Sequence, residues 1–165
     1  MITRLFIDID GVLTASPQSH PDVSTFVVPT EEVEEGVVII EADLVSVHEI
    51  LAQFDEVVWA TSWSLRPRTL EYLEALLELP GYPSVDLTEE GYTKHRGAGL
   101  SGKADSVMEY PVIGPVRSLW IDDEITPAES LSAALLGIST IVPSWADGGI
   151  YTCRNEIERW LSHHG

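Results

Sequence analysis

Residues 5–14 (LFIDIDGVLT) contain the features that decide the fold of this chain. The apolar run at residues 5–7 predicts a strand that is buried on both faces of a parallel sheet. The run stops at two carboxylates, Asp8 and Asp10, and Gly11 then frees the backbone to turn sharply. Because ligands bind at the carboxyl ends of parallel strands, this stretch predicts a functional site at that edge of the sheet.

The spacing of Asp8 and Asp10 indicates a metal site. Two like charges this close raise each other's pKa unless a cation lies between them. Hard oxygen ligands favour Mg2+ as that cation. An Asp pair that only caps the following turn or helix is the alternative interpretation, and the motif by itself does not decide between the two.

The composition is that of a soluble globular protein. The 165 residues are 44% hydrophobic and 22% charged, which suits one domain over residues 1–165 with a substantial core. No stretch reaches the ~20 apolar residues of a membrane span, and Asp8 and Asp10 interrupt the N-terminal apolar run too early for a signal peptide. The lone cysteine, Cys153, excludes an internal disulfide. We therefore expect a cytoplasmic protein with no membrane partner.

The charge pattern limits the partners. A formal net charge of -18 argues against a broad nucleic-acid-binding surface, because phosphate contacts are made by clusters of Lys and Arg. Most of the basic residues nevertheless fall between residues 66 and 117, either by chance or to focus an anionic substrate locally. They are Arg66, Arg68, Lys94, Arg96, Lys103 and Arg117.

Strand and helix patterns alternate along the chain. Two β-like runs at 25–28 and 36–40, separated by an acidic turn at 31–35, predict a β-hairpin flap within an insertion at about 15–42. Residues 88–102, with four glycines and a basic run, are predicted to be a mobile loop. Further strands are predicted at 56–60, 82–87, 116–121 and 138–142, and helices at 43–54, from Pro67, from Lys103 to about 110, from Thr126 and at 154–163.

This alternation implies right-handed βαβ units. We predict an α/β protein with three layers, α/β/α, around a central, mostly parallel five-stranded sheet that resembles a Rossmann sheet. The small flap follows the first strand and is too short to form a cap domain.

Polar residues recur at or near the predicted strand ends. Thr61 follows the second strand of the core, and Asp122 with Asp123 follows the fourth. Lys103 lies on the helix before that fourth strand. Carboxylates can hold a metal, a hydroxyl can grip phosphoryl oxygens, and a lysine can neutralise charge that develops in transfer. The order describes a phosphate site.

Four segments then carry a resemblance to a known family: IDIDGVLT (7–14), VVWATSW (57–63), GLSGKADSV (99–107) and SLWIDDE (118–124). In type and order they resemble the four motifs of the haloacid dehalogenase (HAD) superfamily. The variant with WATSW and WIDDE is similar to the small HAD-like phosphatase domains associated with RNA-repair proteins. The resemblance implies a HAD-like fold and an Mg2+-dependent phosphatase.

The resemblance assigns roles to the first motif. Asp8 would attack the phosphorus and form an aspartyl-phosphate. Asp10 would act as general acid and then as general base. Both carboxylates would contribute to the Mg2+ site, and Ile9 is expected to offer its backbone carbonyl to the ion.

Thr61 and Lys103 would act on the phosphoryl group. The Thr61 hydroxyl, helped by the amide of Ser62, would bind a nonbridging oxygen, and Lys103 would pair with both the nucleophile and the phosphoryl group. Thr61 could instead satisfy a backbone group at its strand end. Lys103 could be a solvated lysine, although a lysine in the first turn opposes the helix dipole.

The pair Asp122 and Asp123 would complete the metal site. Alignment with the family pattern makes Asp123 the expected direct ligand, and Asp122 would act through water or orient Lys103. Both could instead cap the following helix. Arg66 and Arg68 follow the phosphate-gripping segment, so one of them would contact the substrate beyond its phosphate, unless they only begin a solvated helix.

These residues predict a phosphomonoester hydrolase whose partner is a phosphorylated small molecule or a polynucleotide end. A sugar phosphatase and a non-catalytic binding module with the same fold are the alternatives. A response regulator is disfavoured because its paired acids follow the first strand and its phosphorylated Asp follows the third. A dinucleotide-binding domain is disfavoured because no glycine-rich turn follows the first strand.

Overall fold

The computed structural model describes residues 1–31 and 36–163, which form six strands and six α-helices in an α/β fold. The strands are β1 (Ile2–Ile7), β2 (Ser24–Pro29), β3 (Val37–Ala42), β4 (Glu56–Trp59), β5 (Val116–Ile121) and β6 (Ile138–Ile141). The helices are α1 (Leu44–Leu51), α2 (Pro67–Leu76), α3 (Glu89–Gly97), α4 (Ala104–Met108), α5 (Pro127–Leu135) and α6 (Arg154–Ser162).

The central sheet places three strand ends side by side. Its order is β4-β1-β5-β6, and each neighbouring pair is parallel. In this register Ile7 is opposite Trp59 on one side and Ile121 on the other. The chain therefore leaves β1, β4 and β5 at the same edge of the sheet, where the predicted motifs lie.

Helices cover both faces of this sheet, as the three-layer prediction requires. Successive side chains of a strand point to opposite faces, and in β1 Leu5 and Ile7 pack with residues from α1, α2 and α6. Phe6, between them, belongs to a second buried cluster that contains residues of α4 and α5. All three side chains are at most 1% exposed, so β1 lies at the centre of the core.

The flap is a β-hairpin that is attached to the body of the protein. In its antiparallel register Val28 and Ile40 are buried in the core, whereas the cross-strand pair Val27 and Ile39 is exposed. Glu31, just after β2, accepts hydrogen bonds from the backbone amides of Arg68 and Thr69 at the start of α2. The flap is thereby fixed to the helix that follows β4.

The prediction of a core strand at 82–87, and with it of a five-stranded sheet, is wrong. Among the described residues the parallel sheet has four strands. Ser84 forms only an isolated parallel bridge with Trp59. The Pro83 carbonyl accepts from the Trp59 amide at 2.8 Å, and the Val85 amide donates to the Trp59 carbonyl at 2.9 Å. Proline has no N–H, which keeps the ladder from extending further.

The predicted mobile loop at 88–102 is also wrong, because it contains α3. No side chain of α3 is buried, so the helix has no apolar periodicity for a sequence reading to detect. Its stability comes from its ends: the Thr88 side chain accepts from the Gly91 amide, acidic residues occupy the first turn, and basic residues occupy the last. This charge arrangement complements the helix dipole.

The remaining boundaries differ from the predictions by a few residues. Lys103 is the residue before α4 and not its first residue, and α1 ends at Leu51, three residues earlier than predicted. Most of the acidic turn predicted at 31–35 lies outside the described residues. No helix in the described ranges is both long enough and apolar enough to cross a bilayer.

Asp43 begins α1 as predicted. Its Oδ1 accepts from the Ser46 amide at 3.1 Å, and its Oδ2 accepts from the Ser46 hydroxyl at 2.5 Å. His20 Nε2 lies 2.8 Å from the same Oδ2. Burial acts to raise the pKa of Asp43, but the hydrogen bonds from Ser46 and His20 outweigh it and lower that pKa.

Replacing this cap tests its contribution. We expect Asp43→Ala to reduce the free energy of unfolding by about 1–2 kcal/mol, and Asp43→Asn, which keeps an acceptor oxygen, to cost less. Because the folded-state pKa is lowered, the stabilisation by Asp43 is present above about pH 3.9 and is lost as the pH falls through the folded-state pKa. Urea unfolding at several pH values measures both effects. Equal losses for the two variants at neutral pH would contradict the capping role.

Candidate active site

The turn after β1 places Asp8 at the carboxyl edge of the sheet. Its amide donates to the Ile121 carbonyl at 3.1 Å, which continues the pairing of β1 with β5. Its Oδ1 accepts from the Ile9 amide at 2.8 Å, and the side chain is almost fully buried. The carboxylate is therefore held in one orientation by the backbone that carries it.

Gly11 makes the turn possible. It has a φ of +71°, a conformation that L side chains rarely adopt, and its amide donates to the Thr14 hydroxyl at 2.9 Å. The amides of residues 12–14 all donate to the Ile9 carbonyl. The contact of this carbonyl with a metal stays a prediction, and in the structure the carbonyl oxygen closes the turn by accepting from these three amides.

Lys103 is buried between two acids. Its Nζ lies 2.6 Å from Oδ2 of Asp8 and 2.8 Å from Oδ2 of Asp122, and the residue is 1% exposed. Burial opposes the charged ammonium, but the two carboxylates outweigh it and raise the pKa of Lys103. The predicted pairing of Lys103 with Asp8 is present, and the solvated alternative is wrong.

A buried glutamate positions Lys103, and sequence reasoning missed it. Oε1 of Glu129 accepts from the amide and the hydroxyl of Ser101, at 3.0 and 2.9 Å. The Ser101 hydroxyl in turn accepts from the Lys103 amide at 3.3 Å. Glu129 also accepts from the Thr126 amide in a capping box at the start of α5, a pattern that the sequence TPAE contains. Its second role, accepting hydrogen bonds from Ser101, depends on packing between α4 and α5.

Three acids surround a position suited to a divalent cation. Carboxylate oxygens of Asp8, Asp122 and Asp123 lie within 4.8 Å of one another. A six-coordinate Mg2+ with ligands at about 2.1 Å has oxygens up to about 4.2 Å apart, so small adjustments would satisfy the ion. The donor set is all oxygen, which is the chemistry that Mg2+ requires. The residues therefore fit the expected cofactor.

The acids show the electrostatic cost of their grouping. Burial, and then the charge of Asp8, raise the pKa of Asp122, while burial with Asp8 and Glu124 raises the pKa of Asp123 to about 6. Both oxygens of Asp122 already accept hydrogen bonds, from Lys103 and from the Glu124 amide. This arrangement suits the predicted division in which Asp122 orients Lys103 and Asp123 contacts the ion directly.

A second group of possible metal ligands has a different explanation. His20, Asp22 and Asp43 also have ligand atoms within 4.8 Å of one another. His20 and Asp43 are already joined by a hydrogen bond, and Asp43 caps α1. That group is explained by the structure of the helix terminus.

Asp10 is separate from the three-acid cluster. Its Oδ2 accepts from Nε1 of Trp63 at 2.8 Å. Asp10 is exposed, but desolvation by the protein around it raises its pKa; the Trp63 hydrogen bond opposes this shift, and the charge of Asp8 adds to it. The prediction made Asp10 both a proton donor and a metal ligand, and the side-chain geometry suits the first of these roles. Sequence reasoning gave Trp63 no role on Asp10, because their contact is formed by two different strand ends.

Thr61 and Ser62 follow β4 at the same edge. The Thr61 side chain is fully buried and accepts from the Trp63 amide at 3.3 Å, which begins a short 3-10 helix, Ser62–Leu65. The alternative in which Thr61 satisfies a backbone group is thus realised. A hydroxyl both accepts and donates, so the proton of Thr61 can still be given to another acceptor.

The two arginines occupy different positions. Arg66 lines a cavity of about 180 Å³ together with Asp10, Ser62 and Trp63. Arg68 is exposed on the first turn of α2, and this cavity is not lined by it. Of the two predicted contacts beyond the phosphate, the structure places only Arg66 beside Asp10.

Asp10 also lines a second cavity, of about 470 Å³. Gly11 and Thr14 line it too, as do Ile39 and Glu41 of the flap. Trp145 also lines this cavity, a residue to which the sequence analysis gave no role. Asp10 therefore lines two cavities, with the flap strand β3 contributing to both.

The carboxyl edge of the parallel sheet thus carries an acid cluster and a buried lysine. The sequence of the chain matches a known family. The chain belongs to the family described as the HAD domain in Swiss Army Knife RNA repair proteins, whose model matches residues 4–142. This family lies in a superfamily of phosphatase-type hydrolases. No curated protein and no solved structure matches the chain significantly.

The close approach of Gly11 to Asp123 gives a test of the metal site. A Cβ atom on Gly11 would lie 2.1 Å from Oδ2 of Asp123, so Gly11→Ala must displace that carboxylate. We expect the affinity for Mg2+ to fall by about 10- to 100-fold, measured by titration calorimetry with MgCl2.

Gly114→Ala is the matched control, because Gly114 has a similar φ of +79° and nothing within 4 Å of an added Cβ. It carries the same backbone strain without the collision, and its Mg2+ affinity should equal that of the unchanged protein. Equal affinities for Gly11→Ala and Gly114→Ala would show that Asp123 does not bind the ion.

Proposed function

We propose that this protein is an Mg2+-dependent phosphomonoester hydrolase that acts through an aspartyl-phosphate on Asp8. The observation that carries the proposal is the contact of buried Lys103 with both Asp8 and Asp122, beside a third acid, Asp123. This contact joins three of the four family motifs at one point.

In the first step an oxygen of Asp8 attacks the phosphorus, and the bond between phosphorus and the leaving oxygen breaks. Each oxygen of Asp8 has a donor, the Ile9 amide or Lys103, which holds the carboxylate in place for attack. Lys103 balances the charge that accumulates on the phosphoryl oxygens as the new bond forms.

Asp10 supplies and removes the proton. It protonates the leaving oxygen in the first step and then takes a proton from water, which attacks the phosphorus and breaks its bond to Asp8. The products are an alcohol, inorganic phosphate and free Asp8. Desolvation and the charge of Asp8 raise the pKa of Asp10, a direction that favours the protonated form needed for the first role.

Asp8, Asp122 and Asp123 would hold Mg2+, with Asp123 as the direct ligand after the β5 strand. The ion would supply positive charge to the phosphoryl oxygens and lower the cost of grouping three acids. Thr61 and Ser62 would bind the phosphate from the β4 side, and Lys103 would bind it from its position between Asp8 and Asp122. These assignments extend the family pattern to the residues that the geometry brings together.

The substrate is proposed to be a phosphorylated nucleic-acid end or a nucleotide. The family description names RNA repair proteins. Arg96 pairs with Glu124, which places the basic end of α3 beside the acids that follow β5, although the chain as a whole carries a charge of -18. Arg66, which lines a cavity with Asp10, adds a second guanidinium group near the site for an anionic substrate.

Phosphate release tests the proposal. The panel contains 3'- and 5'-phosphorylated RNA and DNA oligonucleotides, nucleoside monophosphates and ribose 5-phosphate, each with Mg2+ and with the metal removed by EDTA. We expect release only with metal. Asp8→Asn should reduce it to background, and Asp10→Asn should reduce kcat by about 10²- to 10⁴-fold.

Asp86→Asn, at an exposed aspartate, is the matched control and should retain full activity. Activity in Asp8→Asn equal to that of the control would exclude Asp8 as the nucleophile. Absence of release from every ester in the presence of Mg2+ would overturn the hydrolase assignment.

A further inference from the structure

The 470 Å³ cavity beside Asp10 has an apolar wall that the proposed chemistry does not use. Trp145 is 45% exposed and Ile39 is 65% exposed, and both residues line this cavity. Exposed large apolar side chains at a polar cleft are typical of a ligand-binding surface. We call the pair Trp145 and Ile39 the ring subsite, after the aromatic ring that we propose it binds.

We propose that the ring subsite binds a planar heteroaromatic ring, such as a nucleobase, carried by the leaving group of the substrate. The inference rests on the proposed function and extends it to a specificity-determining residue, Trp145. Asp10 lines the same cavity and is the group that protonates the leaving oxygen. The part of the substrate that departs must therefore extend from Asp10, and this cavity is one of two routes.

The charges at the two cavities distinguish the routes. Glu41 lines the cavity of the ring subsite, so a second anionic group is disfavoured there. Arg66 lines the smaller cavity, which Asp10 also lines. A neutral ring fits the first cavity, and a neighbouring phosphodiester fits the second. Stacking on a tryptophan needs no particular hydrogen-bond pattern, so it accepts any base.

Trp145 is fixed relative to the catalytic turn. Its carbonyl accepts from the Ser16 amide at 3.0 Å, and the Ile150 amide donates to the Val12 carbonyl at 2.9 Å. Between them Gly149 packs so closely on the turn that an added Cβ would lie 2.6 Å from the Val12 carbonyl oxygen. The backbone that carries the indole is thus held in place before binding, which reduces the entropy lost when a ring stacks on Trp145.

The family model ends at residue 142, before Trp145. The ring subsite is therefore built in part from a segment beyond the family match. The ring subsite thus combines Trp145, from the segment after residue 142, with Ile39 of the flap.

The test is ligand binding measured by calorimetry with Mg2+ in the Asp8→Asn background, in which the ligands are not consumed. The two probes are adenosine 5'-monophosphate and ribose 5-phosphate, which differ by the base. We expect Trp145→Ala to weaken binding of the nucleotide by about 5- to 150-fold and to leave binding of ribose 5-phosphate unchanged. Trp145→Phe should restore most of the nucleotide affinity.

A variant of Ile39 and a control variant of Val27 test the contribution of the flap to the ring subsite. Ile39→Ala should weaken nucleotide binding, whereas Val27→Ala should not, since Val27 pairs with Ile39 in the hairpin but does not line the cavity. Equal losses for both ligands in Trp145→Ala would indicate a merely structural role and overturn the proposal. So would unchanged nucleotide binding, or no binding of the nucleotide at all.

Failure of the subsite is distinguishable from failure of the proposed function. Hydrolysis of ribose 5-phosphate and the nucleotide with equal kcat/KM, unaffected by Trp145→Ala, would retain the hydrolase and overturn the subsite. Base-dependent binding without any phosphate release would support the subsite and overturn the hydrolase. A preference for phosphorylated oligonucleotides over mononucleotides, lost in Trp145→Ala, would identify the ring as part of a polynucleotide end.

Discussion

The buried ammonium of Lys103 is the constraint on which the functional edge of this protein depends. It lies within 2.8 Å of carboxylate oxygens from the ends of two adjacent strands, β1 and β5. Removing one partner of a buried ion pair costs about 3–5 kcal/mol, because the remaining charge loses its compensation. The contact is therefore demanding in geometry, and Glu129 with Ser101 supplies part of the support that holds Lys103 there.

One lysine does not balance three acids. Asp123, which has a pKa raised to about 6, lies against Gly11 in a turn that admits no side chain. An acid cluster in a chain that is already strongly negative is costly unless a cation joins it. The fit of Asp8, Asp122 and Asp123 to Mg2+ explains why the chain retains such an arrangement, and it relates the electrostatics of the site directly to the proposed chemistry.

Much of the fold could be predicted because the core strands are short, apolar and bounded by turns. The same patterns located Asp8, Thr61, Lys103 and Asp122, since parallel strands must end at a common edge. Two features escaped prediction for physical reasons. Helix α3 buries no side chain, and the segment around Ser84 is limited to one bridge by the neighbouring proline. Helix α3 thus leaves no hydrophobic period for a prediction to detect, whereas the segment at 82–87 has the residue pattern of a strand but lacks a backbone donor at Pro83.

The rest of the site depends on contacts between distant segments. Trp63 reaches Asp10 from another strand end, and Trp145 reaches the same region from a loop that follows β6. Nothing local in the sequence indicates either contact. The same holds for the flap. Its strands could be predicted from the sequence, but its attachment to α2 through Glu31 is visible only in the structure. The chemistry is thus encoded by local motifs, and the surroundings that select a substrate are encoded by packing.

The central claim is that Asp8 carries the phosphate, and acid-quenched mass spectrometry of the protein tests it most directly. Acetyl phosphate with Mg2+ is the reagent, because acetate leaves without a proton, and Asp10→Asn slows the second step, in which water must be deprotonated. Phosphate on the peptide that contains Asp8, absent when Asp8→Asn is added, is the predicted result. Continued release of phosphate with no phosphate bound to Asp8 at any time would contradict the mechanism.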